Sequence, residues 1–218
     1  MGSLATVWER SAAAELSWVS PSGPVGVPVV PLVWEGRPCV ALPFSQLALA
    51  DTLTGGHAAF SVTDARALPE GSPAVAAAGP VRVSHDLSGD VFVGALLEQE
   101  VRKHPPTRRR AGGLLARREN WWWVPRVLVT LLDTVEERAL PPRTRPGDAV
   151  LVGARGRRPT VDVVTASAWP AAPGARIGLR GPGGGGVGGF AAFESNFELG
   201  GPLSLSEDPV VLLEGSNR

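Results

Sequence analysis

Between residues 15 and 64 the apolar positions fall into short runs broken by Pro, Gly and Ser, the spacing of strands rather than of helices. Glu15-Leu16-Ser17-Trp18-Val19 predicts a strand, Ser20-Pro21-Ser22-Gly23-Pro24 a turn, and Val25 to Trp34 a second strand. Glu35-Gly36 has the form of a two-residue hairpin turn, since Gly takes a positive φ at little cost, and Arg37 to Leu42 predicts a third strand. Pro43-Phe44-Ser45 opens a short helix over Gln46 to Thr54, with Ser45 as its N-cap and Gly55-Gly56 as its stop. His57 to Thr63 returns as a fourth strand, and the whole order describes a small antiparallel barrel. Pro28 and Pro31 have no N–H to give to a ladder and belong at an edge or a bulge.

Residues 65 to 79 read as a loop, Pro80 to His85 as a strand, and Asp86-Leu87-Ser88-Gly89 as a turn. Asp90 to Lys103 predicts a helix with Phe92, Leu96, Leu97 and Val101 facing the core. Its Glu98, Gln99, Glu100, Arg102 and Lys103 are placed in water, and Pro105-Pro106 stops it. Trp121-Trp122-Trp123 leads into a strand from Val124 to Asp133, in which Trp122 must point opposite to its two neighbours. Asp148 to Val152 and Thr160 to Ala166 predict a hairpin around Gly156-Arg157-Arg158. Residues 170 to 189 read as a flexible Gly- and Pro-rich stretch, Phe190 to Gly201 as a short helical or irregular patch, and Pro209 to Leu213 as a last strand. The chain divides into a barrel over residues 1–135 and a β-rich extension over 136–218 packed on it.

Charge changes little in this picture. The 218 residues carry 21 basic and 21 acidic side chains, which argues against nucleic acid as a partner. The basic stretch from Arg102 to Arg118 lacks interleaved aromatics, so it reads as a solvated or anion-facing surface. No run is long and apolar enough to span a bilayer, and the start has no signal-peptide form, so a cytoplasmic protein is expected. Met1-Gly2-Ser3-Leu4-Ala5-Thr6 fits the loose myristoylation pattern, which is too short to use. One cysteine, Cys39, excludes an intramolecular disulfide and predicts a buried, inert thiol. His57, His85 and His104 have no metal-ligand spacing, and no hydrolase, Walker or dinucleotide motif occurs.

Two segments carry a resemblance: Val29-Val30-Pro31-Leu32-Val33-Trp34-Glu35-Gly36-Arg37 and Leu42-Pro43-Phe44-Ser45-Gln46-Leu47. Leu96 to Pro106 and Arg118 to Arg126 add to it. With these the chain resembles the pyridoxamine 5′-phosphate oxidase-like, FMN-binding split-barrel superfamily, in an actinobacterial-type form. The resemblance implies a mostly β fold, an antiparallel split barrel, and a homodimer with a flavin in the groove between subunits. It implies that Val29, Val30, Pro31, Leu42, Pro43, Ser45 and Gln46 line the cofactor; Arg37, read from its place in the third strand beside Ser45, is either the source of the missing positive charge or a solvated hairpin residue. Trp122, Trp123 and Arg126 would come across from the partner.

The function so implied is a flavin (FMN)- or deazaflavin-dependent oxidoreductase acting on a small-molecule substrate, the cofactor carrying the hydride chemistry. Family members place a Lys or Arg at the start of the helix after the third strand, and here that helix begins Ser45-Gln46-Leu47-Ala48. Ser45 and the helix N-terminus offer an anion weaker holds than a cation would. The alternative is therefore a non-catalytic binding protein of the same fold, holding deazaflavin, haem or no cofactor.

Overall fold

A computed structural model describes residues 3–53, 56–113, 122–145, 148–155, 158–166, 179–180, 188–193 and 211–215. The strands are β1 (Ala14–Ser20), β2 (Gly23–Val29), β3 (Leu32–Trp34), β4 (Arg37–Pro43), β5 (His57–Val62), β6 (Ala74–Asp86), β7 (Arg126–Leu131) and β8 (Glu136–Leu140). They form one antiparallel sheet in the order β2-β1-β5-β6-β7-β4-β3, with β8 also paired to β6. A second sheet, in the order β11-β10-β9-β12-β13, holds β9 (Asp148–Arg155), β10 (Arg158–Ala166), β11 (Leu179–Arg180), β12 (Gly188–Phe193) and β13 (Val211–Gly215). The helices are α1 (Leu4–Arg10), α2 (Leu47–Ala50), α3 (Leu97–Lys103) and α4 (Pro105–Ala111), and a π-helical turn Phe92–Leu96 leads into α3.

The predicted β class and both predicted hairpins of the first 43 residues are present. Glu35 and Gly36 have φ of 52° and 72°, the two positive values that a hairpin turn of this length favours. The barrel does not close. The run Val25 to Trp34 breaks at Val30-Pro31, and its halves become β2 and β3 at opposite edges of the sheet. Trp8 of α1 lies within the curl, its ring 5.1 Å from that of Phe60 and its indole N–H donating 2.8 Å to the Leu32 carbonyl. Leu4, Val7 and Trp8 of α1 join Leu16, Trp18, Val29, Val40, Leu42, Phe60, Val127 and Val129 in the main core.

Other elements differ from the sequence reading. α1 was not predicted, although Leu4, Val7 and Trp8 stand at helical spacing. β6 begins at Ala74 inside the predicted loop, because the small Ala74 and Ala76 pack beneath Val150, Val152, Val161 and Val163 of the second sheet. Pro105 starts a helix rather than only ending one: His104 breaks the helical path and Pro105 takes the first position of α4. The strand predicted from Val124 is shorter, and Trp122 and Trp123 lie in a helical turn before it. The β9–β10 hairpin is present, Phe193 lies in a strand rather than an irregular patch, and the last strand is Val211–Gly215. Most of the stretch 170 to 189, with Trp121, Thr54 and Gly55, lies outside the described residues.

Two contacts fix how the segments meet. Glu15 is fully buried and accepts from Ser61 and Thr63 at 2.8 Å each and from the Arg143 guanidinium at 2.9 Å. The Arg143 backbone also bonds Thr63 and Ala65, so the connector from β8 to β9 is held on the end of β5. β7 and β8 pair with successive halves of β6, and between them the chain crosses over Gly79. A Cβ at Gly79 would lie 1.9 Å from the Asp133 carbonyl oxygen, so only glycine fits. Gly79→Ala is expected to lower stability in urea unfolding by about 3 kcal/mol, the upper end of overpacking costs. Gly94→Ala, where a Cβ meets nothing within 4 Å, is the matched control and is expected to cost nothing.

Candidate functional site

The helical segment after β6 covers the face of the first sheet that the main core does not use. Asp86, at the end of β6, accepts from the Phe92 N–H at 2.8 Å and starts the segment there. Phe92 and Leu96 then pack on Leu32, Cys39, Leu128, Trp123 and Val124. Gln99 bonds the Val33 backbone twice, accepting from its N–H and donating to its carbonyl, each at 2.8 Å. Lys103 donates 2.7 Å to the Pro31 carbonyl, and burial pushes its amine down to about 8. Glu100 and His104 continue the Phe92–Leu96 stripe at four-residue spacing and are buried, not placed in water as the polar pattern predicts.

Beneath that stripe lies a buried polar cluster. Arg126, at the start of β7, is 3% exposed, and its guanidinium sits 3.9 Å over the Phe92 ring and 5.8 Å from that of Trp123. It bonds the carbonyls of Trp123, Val124 and Pro125 and pairs with Glu100 Oε1 at 3.6 Å. Burial pushes Glu100 up, while Arg126 and Thr107 pull it back; burial likewise pushes Arg126 down, with Glu100 opposing. Thr107 Oγ1 donates to Glu100 Oε1 at 2.6 Å, and His104 Nδ1 lies 2.9 Å from the same hydroxyl.

This chain of contacts fixes a tautomer. Arg126 keeps its proton, so Glu100 is its counter-charge and can only accept. Thr107 has one hydrogen and gives it to Glu100, so His104 Nδ1 must supply the hydrogen between them. His104 Nε2 is then a bare lone pair. It is buried without a hydrogen-bond partner among the described residues, as is Arg126 Nε. Burial, with Arg110, Arg126 and Arg109 nearby, pushes the His104 imidazole down to about 4, so it stays neutral.

The residues singled out from the sequence are scattered by comparison. Val29 and Leu42 point into the main core, Val30 is half-buried, and Pro31 is buried with its carbonyl taken by Lys103. Arg37 is exposed at one end of β4, while Pro43 and Ser45 are exposed at and just beyond the other. Seven residues of strand put about 20 Å between the two ends, so Arg37 does not stand beside Ser45 as expected. Ser45 caps no helix: it lies with the half-buried Gln46 in the 3-10 turn Phe44–Gln46, ahead of an α2 of only four residues. Trp122 is 73% exposed and Trp123 7%, a difference set by a helical turn and not by the strand alternation expected. Of the predicted set, the structure brings Trp123 and Arg126 together, inside one chain. Cys39 is the expected inert thiol, fully buried, with burial pushing it up to about 12. Glu100, His104 and Thr107 escaped the sequence reading, although two of them stand at stripe positions where an apolar residue is the norm.

No family model and no curated protein matches the chain. Among solved structures, a heme binding protein from Mycobacterium smegmatis is similar in part, with 14% sequence identity and a TM-score of 0.39. The likeness covers 76% of this chain and 59% of that one, so the chain spans about three fifths of that protein's length. Among the described residues no helix is long and apolar enough to cross a membrane, and no three His, Cys, Asp or Glu side chains are grouped to hold a metal.

The cluster makes a pH prediction. His104 titrates near 6.5 in the unfolded chain and near 4 in the fold, so the unfolded chain takes the proton first. The stability its neutral form contributes is complete above pH 6.5 and is lost as pH falls toward 4, at up to about 1.4 kcal/mol per unit. In urea unfolding between these limits, His104→Gln is expected to show a shallower fall with acid than the parent chain. Parallel curves would mean that His104 does not titrate as its surroundings dictate.

Proposed function

We propose that the protein is a binding protein whose ligand site is the His104–Arg126 cluster, and that an iron porphyrin suits it better than a flavin. One observation carries the reading: a buried imidazole, fixed by Thr107 and Glu100 in the tautomer that leaves Nε2 bare, with no partner for that atom among the described residues. A neutral imidazole whose other nitrogen is held by a hydrogen-bond chain ending in a carboxylate is the state in which His ligates iron or zinc. Bound porphyrin would supply the iron and its redox or gas-binding chemistry. The chain would supply Nε2 as ligand, Thr107 and Glu100 to hold the ring, and Arg109 and Arg110 near His104 to attract porphyrin carboxylates.

The residues expected to hold FMN suit it less well. Its phosphate would meet an exposed Ser45 in a three-residue turn, with Arg37 at the far end of β4. Arg126, in register with Pro43 at the near end, has its charge committed to Glu100 and to three carbonyls. The competing reading is a flavin- or deazaflavin-dependent oxidoreductase acting on a small molecule. It needs a homodimer in which the partner subunit brings the phosphate's cation, and the exposed Phe44, Leu87 and Trp122 offer apolar surface for such pairing.

A haemin titration followed at the Soret band, alongside FMN soaking and desalting, separates the two. Saturable haemin binding is expected, with the shifted Soret band abolished in His104→Gln and retained in His57→Gln and His85→Gln. Thr107→Val, which releases the ring's other nitrogen, is expected to weaken haemin binding about tenfold or more. Haemin binding unchanged in His104→Gln, or FMN retained where haemin is not, would overturn the proposal.

A further inference from the structure

One end of the first sheet carries an exposed apolar tip. Arg126 is in register with Pro43 on one side and Asp86 on the other, so the ends of β4 and β6 flank the start of β7. Phe44 follows β4, Leu87 follows β6 and Trp122 stands in the turn before β7; they are 37%, 63% and 73% exposed. The turns touch, since a Cβ on Gly89 would lie 2.0 Å from Val124 Cγ1. Three adjacent strands span roughly 10 Å, so the three side chains share one small tip.

The arginines of α4 stand beside it. Arg126 donates to the Trp123 carbonyl and pairs with Glu100, which takes the Thr107 hydrogen. One guanidinium thus separates the Trp122–Trp123 turn from the first turn of α4. Thr107 is buried, and Arg108, Arg109 and Arg110 after it are exposed. Arg108 donates to the Val101 and Arg102 carbonyls, which hold its guanidinium without neutralising it. None of the three forms a salt bridge among the described residues. The exposed acids at this end are Asp90, which accepts from Ser88, and Asp51, paired with His85, so cations are in excess.

A second copy of the chain is a poor cover for this patch alone. The three side chains expose roughly 350 Å², against about 800 Å² per partner in a stable protein interface. A two-fold contact would also set the patch on its own likeness and bring two arginine rows together. A bilayer with anionic headgroups suits both halves of the tip: apolar rings enter the boundary between headgroup and acyl chain, and guanidiniums meet phosphates. We propose that this end of the sheet docks on an anionic membrane surface, with Trp122, Leu87 and Phe44 entering it and Arg108, Arg109 and Arg110 at the headgroups. Such docking is peripheral, needs no spanning helix, and does not rest on what the His104–Arg126 cluster binds.

The test is co-sedimentation of the full chain, without haemin, with vesicles of phosphatidylcholine alone and of phosphatidylcholine mixed equally with phosphatidylglycerol. Binding to the anionic vesicles is expected to be about tenfold tighter or more than to the neutral ones, and to weaken as NaCl shortens the screening length. Trp122→Ala is expected to lower it about tenfold or more, by loss of the largest inserted side chain. Arg109→Gln is expected to lower it about fivefold on anionic vesicles and to leave neutral ones unchanged. Leu132→Ala, an exposed position at the far end of β7, is the control and is expected to bind as the parent chain does. Sedimentation velocity without lipid is expected to show no self-association that depends on Trp122. A dimer that Trp122→Ala splits would assign the patch to a second copy and overturn the proposal, as would absence of binding to anionic vesicles or equal binding by Trp122→Ala and the parent.

Discussion

Pro31 has no N–H, and that single missing donor shapes the first sheet. An apolar run from Val25 to Trp34 would otherwise make one long strand; instead the chain turns out of the ladder at Val30-Pro31 and sends its halves to opposite edges. Edges that the chain has separated in this way cannot pair, so the sheet curls without closing. The gap needs an apolar filling, and α1 supplies it with Trp8, whose N–H takes the Leu32 carbonyl just past the break. The freed Pro31 carbonyl is met by Lys103, which helps set α3 across the face where Arg126 emerges. The position of the candidate site is thus a late consequence of an imino acid about 70 residues upstream of it.

The two buried arginines make an instructive pair. Arg143 meets a carboxylate and a hydroxyl at hydrogen-bond distance, and its role is to hold two segments together. Arg126 is as deeply buried, yet its carboxylate is at 3.6 Å and its Nε has no partner among the described residues. A buried donor left unmet costs about 1–3 kcal/mol. Where the first arrangement spends its polar valence inside the protein, the second keeps some in reserve, and the imidazole beside it does the same. That contrast, rather than burial or charge alone, is what separates a structural ion pair from a place where a ligand atom would be welcome.

How much of this could be read from the chain depended on whether a signal was local. Glu35-Gly36, the short apolar runs of β1 and β4, the β9–β10 hairpin and the Phe92–Leu96 stripe depend on neighbours in sequence and were legible. The start of β6 was not, because Ala74 to Ala78 has only Val75 to favour a strand and becomes one by lying between β5 and β8 under the second sheet. The helix at Ser45 was overestimated: a good capping residue says nothing when the segment is too short to need a cap. The site was harder still. Glu100 looks like any solvated helix residue until Arg126, 26 positions later, is placed beneath it. His104 looks like a helix terminator, and only the order of donors through Thr107 reveals which of its nitrogens is free.

The double bond between Gln99 and Val33 has a consequence for assembly. β3 is the last strand of its sheet, and the N–H and carbonyl of Val33 point away from β4, the posture in which a strand end recruits a strand from another chain. The Gln99 amide has the same donor and acceptor as a peptide group and occupies that position. A helix thereby lends the sheet one unit of false strand, too short to be extended. Growth of the sheet from copy to copy is blocked at this edge without a charged residue or a bulge, by a side chain that imitates the backbone it keeps out.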